Sequence, residues 1–87
     1  MKAIQRIELT ANEEQPFDFL GQVVRFTIRQ QSGDAVNLRL AFVEGQTADG
    51  GLYWPIPAGE PFPWDYMVSG PLYLRADGTA VFSVLST

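Results

Sequence analysis

Apolar and polar residues alternate with a period of two along most of this chain, and the 3.6-residue period of an amphipathic helix is nearly absent. From Val23 to Gln30, Val24, Phe26 and Ile28 share one face while Arg25, Thr27 and Arg29 share the other. The next run places Val36, Leu38, Leu40 and Phe42 inward and Asn37, Arg39 and Ala41 outward. Gln31-Ser32-Gly33-Asp34 lies between them, with Gly33 free to take positive φ, so residues 23–43 read as one β-hairpin. Near the C-terminus, Leu72 and Leu74 alternate with Tyr73 and Arg75, Asp77-Gly78 supplies a tight turn, and Ala80, Phe82 and Val84 continue the inward face. Residues 71–86 therefore read as a second hairpin. Its last strand also carries Val81 and Leu85 on the opposite face, as in a strand covered on both sides.

Residues 3–11 form a first strand with Ile7, Leu9 and Ala11 on one side and Ile4 out of phase. A short strand at 51–56 follows a loop from Gly45 to Gly51. One helical turn is available at Asn12-Glu13-Glu14-Gln15, with Asn12 as its cap and Pro16 as its stop. Five or six short strands with frequent turn signals predict one all-β domain over residues 1–87, a small antiparallel β-sandwich or barrel, the sandwich being preferred. Residues 1–10 read as an extended N-terminal arm or edge strand, able to add to the sheet of a neighbouring copy.

The segment Leu52–Met67, LYWPIPAGEPFPWDYM, breaks this pattern: it holds two tryptophans, two tyrosines, a phenylalanine and four prolines. Pro55, Pro57, Pro61 and Pro63 each fix φ and remove an amide donor, so the backbone runs extended and displays its rings at low entropic cost. Rigid aromatics of this kind anchor binding surfaces. Trp54 lies in phase with Leu52 and Ile56, which favours burial, whereas Trp64, between Pro63 and Asp65, reads as exposed or in contact with another chain. Tyr53 and Tyr73 point away from the apolar faces and, with Tyr66, predict an outward aromatic stripe. The interface residues expected are Trp64, Tyr66, Phe62 and Met67, followed by Tyr53 and Tyr73.

Composition narrows the chemistry. The 87 residues are 46% hydrophobic and 18% charged, which fits a folded chain, although one this short is marginal alone and gains from oligomerisation. There is no Cys and no His, which removes disulfides and the common zinc sites and leaves few groups for catalysis. The carboxylate pairs Glu13 with Glu14 and Glu60 with Asp65 sit in loops at no set separation, and Asp34, Asp49 and Asp77 read as turn residues before calcium ligands. No catalytic residue, metal or cofactor is expected. A net charge of −4, with Arg25, Arg29, Arg39 and Arg75 scattered over several strands and Lys2 the single lysine, argues against nucleic acid. Neither a membrane span nor the apolar run of a signal peptide occurs, so synthesis in the cytoplasm is expected.

The late half combines Leu52-Tyr53-Trp54, the turn Ile56-Pro57-Ala58-Gly59, the strand Gly70-Pro71-Leu72-Tyr73-Leu74-Arg75-Ala76 and a final Asp-Gly turn. In this it resembles the small all-β virion structural proteins of tailed bacteriophages, and the order of strands extends the resemblance back to Val23, over about three-quarters of the chain. The resemblance implies a capsid decoration or cement protein, in the virion, that packs against major capsid or other virion proteins and its own copies as a homo-oligomer. It brings no catalytic residues. A tail or connector subunit and a carbohydrate-binding module using the same aromatics are the alternatives.

Overall fold

The computed structural model describes residues 3–20 and 22–87. The described residues form eight strands: β1 (Ala3–Leu9), β2 (Gln15–Phe17), β3 (Phe26–Ser32), β4 (Leu38–Ala41), β5 (Trp54–Ile56), β6 (Phe62–Trp64), β7 (Leu72–Ala76) and β8 (Ala80–Ser86). They form two four-stranded antiparallel sheets packed face to face, ordered β1-β8-β3-β6 and β2-β7-β4-β5. The fold is thus a small β-sandwich and not a closed barrel, and no helix occurs among the described residues.

The alternation reads directly into the core. Leu9, Phe26, Ile28, Phe82 and Val84 from the first sheet meet Phe17, Leu38, Leu40, Leu72 and Leu74 from the second, all buried. What differs from the expected layout is connectivity. β3 and β4 belong to opposite sheets, as do β7 and β8, so neither 23–43 nor 71–86 is a hairpin. Each turn is an arch that crosses the sandwich. A hairpin and an arch both send their apolar residues into the same core, so periodicity does not separate them; side-chain lacing between the two arches does. Asn37 donates from its backbone N–H and its Nδ2 to the two carboxylate oxygens of Asp77, both at 2.9 Å, and the Asp77 N–H returns a bond to the Asn37 carbonyl. Gly78 packs so closely that a Cβ there would meet Val36 Cγ1 at 2.6 Å.

The expected helical turn at Asn12 is also absent. Asn12 takes φ of 61°, its N–H donates to the Ala76 carbonyl, and the chain turns directly into β2. Asn tolerates this left-handed conformation, which stops a helix before it starts. Residues 3–9 of the expected N-terminal arm pair with β8 of the same chain, as an edge strand, and Met1 and Lys2 lie outside the described residues. Ile7 and Leu9 face inward and Ile4 outward, as their phase implied, with Ile4 75% exposed. Ala41, expected outward, is buried on the outer face, and Phe42 and Val24, expected inward, are exposed.

Three of the four edge strands share one design. β2 is Gln15-Pro16-Phe17, β5 is Trp54-Pro55-Ile56 and β6 is Phe62-Pro63-Trp64, each three residues long with proline at its centre. Proline cannot donate to a ladder, so it belongs on edges and discourages further pairing there.

Candidate functional site

β5 and β6 are the edges of their sheets on the same side of the sandwich, and their aromatic side chains close that side. Trp64 is the centre of the cluster. It pairs in register with Phe26 and meets the rings of Phe42 at 5.1 Å, Tyr66 at 5.4 Å, Trp54 at 5.7 Å, Phe62 at 6.0 Å and Phe26 at 6.4 Å. Phe26, itself buried, also meets Phe19, which in turn meets the buried Phe17, so the surface rings stand on an aromatic column rooted in the core.

The two tryptophans exchange the roles expected of them. Trp54 is 49% exposed, although it shares a face with the buried Leu40 and Ile56. The reason is position: β5 is the last strand of its sheet, so an inward-pointing ring reaches the rim. Leu52 precedes the strand and is exposed. Trp64 is half-buried against the core, and its indole N–H is buried with no hydrogen-bond partner among the described residues. It is as much a core residue as a surface one.

The other expected interface residues divide. Tyr66 is 69% exposed and belongs to the rim through its contact with Trp64, whereas Met67, 65% exposed, receives a contact from Gln22 Nε2 at 3.4 Å. Phe62 is half-buried beneath it. Tyr53 and Tyr73 lie instead on the outer face of the second sheet, half-buried, Tyr53 with the Arg39 guanidinium 4.5 Å over its ring. No ring contact among the described residues joins either of them to Tyr66, so the three tyrosines do not form one stripe. Sequence reasoning missed Phe42, which borders Trp64 from the end of β4; its place in the apolar phase of that strand assigned it to the interior.

A polar cluster occupies the outer face of the second sheet. Arg39 and Arg75, distant in sequence, are direct cross-strand neighbours. The connection from β4 to β5 folds back over them and buries Thr47 completely. Thr47 N–H and Oγ–H donate to Glu14 Oε1, Gly45 N–H donates to Glu14 Oε2 at 2.9 Å, and Arg75 Nε donates to Thr47 Oγ1 at 3.1 Å. Arg39 donates to the Thr47 carbonyl at 3.0 Å and pairs with Asp49 at 2.8 Å. Gly51 is required within this loop because any Cβ would lie 2.1 Å from the Gln46 carbonyl oxygen. An adjoining open cavity of about 450 Å³ is lined by Asn12, Asn37, Arg39, Asp49, Arg75 and Asp77, so its carboxylates match its guanidiniums in number. No group of three or more metal-ligating side chains occurs among the described residues. Of Glu13 and Glu14, read from the sequence as loop charges, Glu14 acts as a loop clamp.

Burial by itself pushes the Glu14 carboxyl up, but the Thr47 hydroxyl, the amides of Gly45 and Thr47 and the Arg75 charge together outweigh it and hold the group below its ordinary 4.5. A carboxyl depressed on folding stabilises the protein above its unfolded pKa, and that stabilisation disappears as pH falls through the folded value. Unfolding free energy is therefore expected to drop on acidification below about pH 4.5. Urea titrations across this range should show a shallower decline for Glu14→Gln; parallel curves would remove Glu14 from the acid response.

Compared with protein-family models, with curated proteins and with solved structures, the chain matches none of them.

Proposed function

We propose that this protein is a non-enzymatic structural subunit of a bacteriophage particle, of the capsid decoration kind, that docks on the shell protein through the aromatic rim. One observation carries the docking: Trp54, Tyr66 and Phe42 stand exposed together around Trp64, on an aromatic column anchored in the core. Ordered aromatic rings lose little entropy on binding and are the residues most often found as interface anchors. The particle context comes from the resemblance of the strand and turn motifs to virion proteins. Repetition on a lattice turns modest contacts into durable attachment through effective concentration.

In particles purified from the source of this coding sequence, mass spectrometry is expected to find the chain in many copies. A few copies per particle would reassign it to a tail or connector, and absence would overturn the particle role. Trp54→Ala and Tyr66→Ala are each expected to weaken shell docking by more than about 1 kcal/mol, read as reduced occupancy in a particle-binding assay. Full occupancy in both variants would remove the rim from the interface. Trp54 and Tyr66 meet Trp64 edge-on, at 61° and 68°, so neither shares a plane with the ring that supports it. Tryptophan fluorescence is accordingly expected to stay unchanged in a polysaccharide titration.

A further inference from the structure

The edge strand β1 departs from the rule kept by the other three. It is seven residues long, contains no proline, and pairs with β8 on one side alone. No hydrogen bond among the described residues ends on the backbone of its outer edge. Long, regular, uncovered edges template the addition of another strand, and proteins that must stay single guard against this, as β2, β5 and β6 do with Pro16, Pro55 and Pro63.

The sequence of β1, Ala-Ile-Gln-Arg-Ile-Glu-Leu, is also self-complementary. Arg6 and Glu8 point to the outer face, opposite Ser83 and Val81 of β8, and neither forms an ion pair within the chain among the described residues. If a second β1 runs antiparallel about a two-fold axis at Ile7, Arg6 of each copy lies directly opposite Glu8 of the other, and Gln5 lies opposite Leu9. A register centred on Arg6 or on Glu8 would instead oppose like charges. Opposite charges facing one another across a strand pair stabilise it, and like charges destabilise it. Because pairing preserves faces, the half-buried Ile7 residues meet on the core side.

We propose that β1 is a homodimerisation edge, joining the first sheets of two copies into one continuous eight-stranded antiparallel sheet centred on Ile7. The occupant is thus a second copy of this chain. The interface is isologous, as two-fold closure requires. β1 and β6 are opposite ends of the first sheet, so the dimer carries its two aromatic rims at its outer ends, free to dock. The inference rests on the reading of the protein as an assembly subunit, and gives that subunit two separate contact edges.

Sedimentation velocity on the full chain, at concentrations up to about 1 mM, tests it. The wild type is expected to be dimeric at the upper concentrations. Arg6→Glu and Glu8→Arg should each raise the dimer dissociation constant about tenfold or more, since each places like charges opposite one another at two symmetric positions. The double variant Arg6→Glu/Glu8→Arg should restore wild-type dimerisation. A wild type monomeric throughout, single variants that dimerise normally, or a double variant that stays monomeric would each overturn the proposed pairing. Circular dichroism melts confirm that the variants fold. Trp54→Ala separates the two readings: it should leave dimerisation intact while docking to the shell falls, so loss of one contact edge does not mimic loss of the other.

Discussion

Replacing Trp64 by alanine is expected to lower the unfolding free energy by about 3 kcal/mol, the lower end of the range for removing a large aromatic from a core, because its ring is half-buried. In a domain of this size such a loss corresponds to a fall in Tm of more than about 12 °C. It is also a large share of the total stability of a typical small domain, about 5–15 kcal/mol. The indole is the member of the cluster that touches both the core ring Phe26 and the rim rings Trp54, Phe42 and Tyr66, so its removal detaches the rim from its support. Trp64→Phe should lose far less, about 1 kcal/mol, since most of the ring contact stays and an unpartnered buried N–H is deleted. Thermal and urea melts of both variants check this. A loss below about 1 kcal/mol for Trp64→Ala would mean that the rim is not anchored as described. It also follows that Trp64 is a poor probe of docking, because its truncation disturbs fold and surface together; Trp54 and Tyr66 are the cleaner positions.

The second large effect is expected at Glu14. Its carboxylate accepts the N–H and hydroxyl of Thr47 and the N–H of Gly45, and Thr47 has no exposed surface through which water could replace it. Glu14→Ala leaves these donors unmatched and should destabilise the protein by about 2 kcal/mol. The damage should be local first. Faster hydrogen exchange at the Thr47 amide and new proteolytic cleavage between Gly45 and Gly51 are expected before global stability is lost. Unchanged exchange at Thr47 would show that Arg39 and Arg75 hold the loop without the carboxylate. Glu14→Gln, which keeps an acceptor oxygen, should fall between wild type and Glu14→Ala.

Much of the architecture was legible in the chain. Alternation at Phe26 and Ile28, Leu38 and Leu40, Leu72 and Leu74, and Phe82 and Val84 identified residues that are all buried, and two faces of such strands imply a sandwich. Pairing was not legible. Asp77-Gly78 and Gln31–Asp34 carry the turn chemistry of hairpins, yet the strands on either side enter opposite sheets, and Asn37 and Asp77 lace the two arches together beside the β4–β7 pair. The aromatic segment at 52–67 was visible as a special surface, but the assignment of its two tryptophans was not. Trp54 and Trp64 have similar local sequences, each beside a proline in a three-residue strand.

The amino-acid order by itself determined most of the residues that avoid water, the alternation that makes them strands, and that prolines punctuate its middle third, since these follow from side-chain transfer and φ restrictions that act within a few residues. Tertiary structure alone decided which strands are neighbours, that Arg39 lies beside Arg75, that Trp54 reaches the rim while Trp64 roots it, and that β1 is left as the unguarded edge. Those outcomes depend on contacts between segments far apart in the chain, whose energies are shared among many side chains and are set only when the two sheets close on one another.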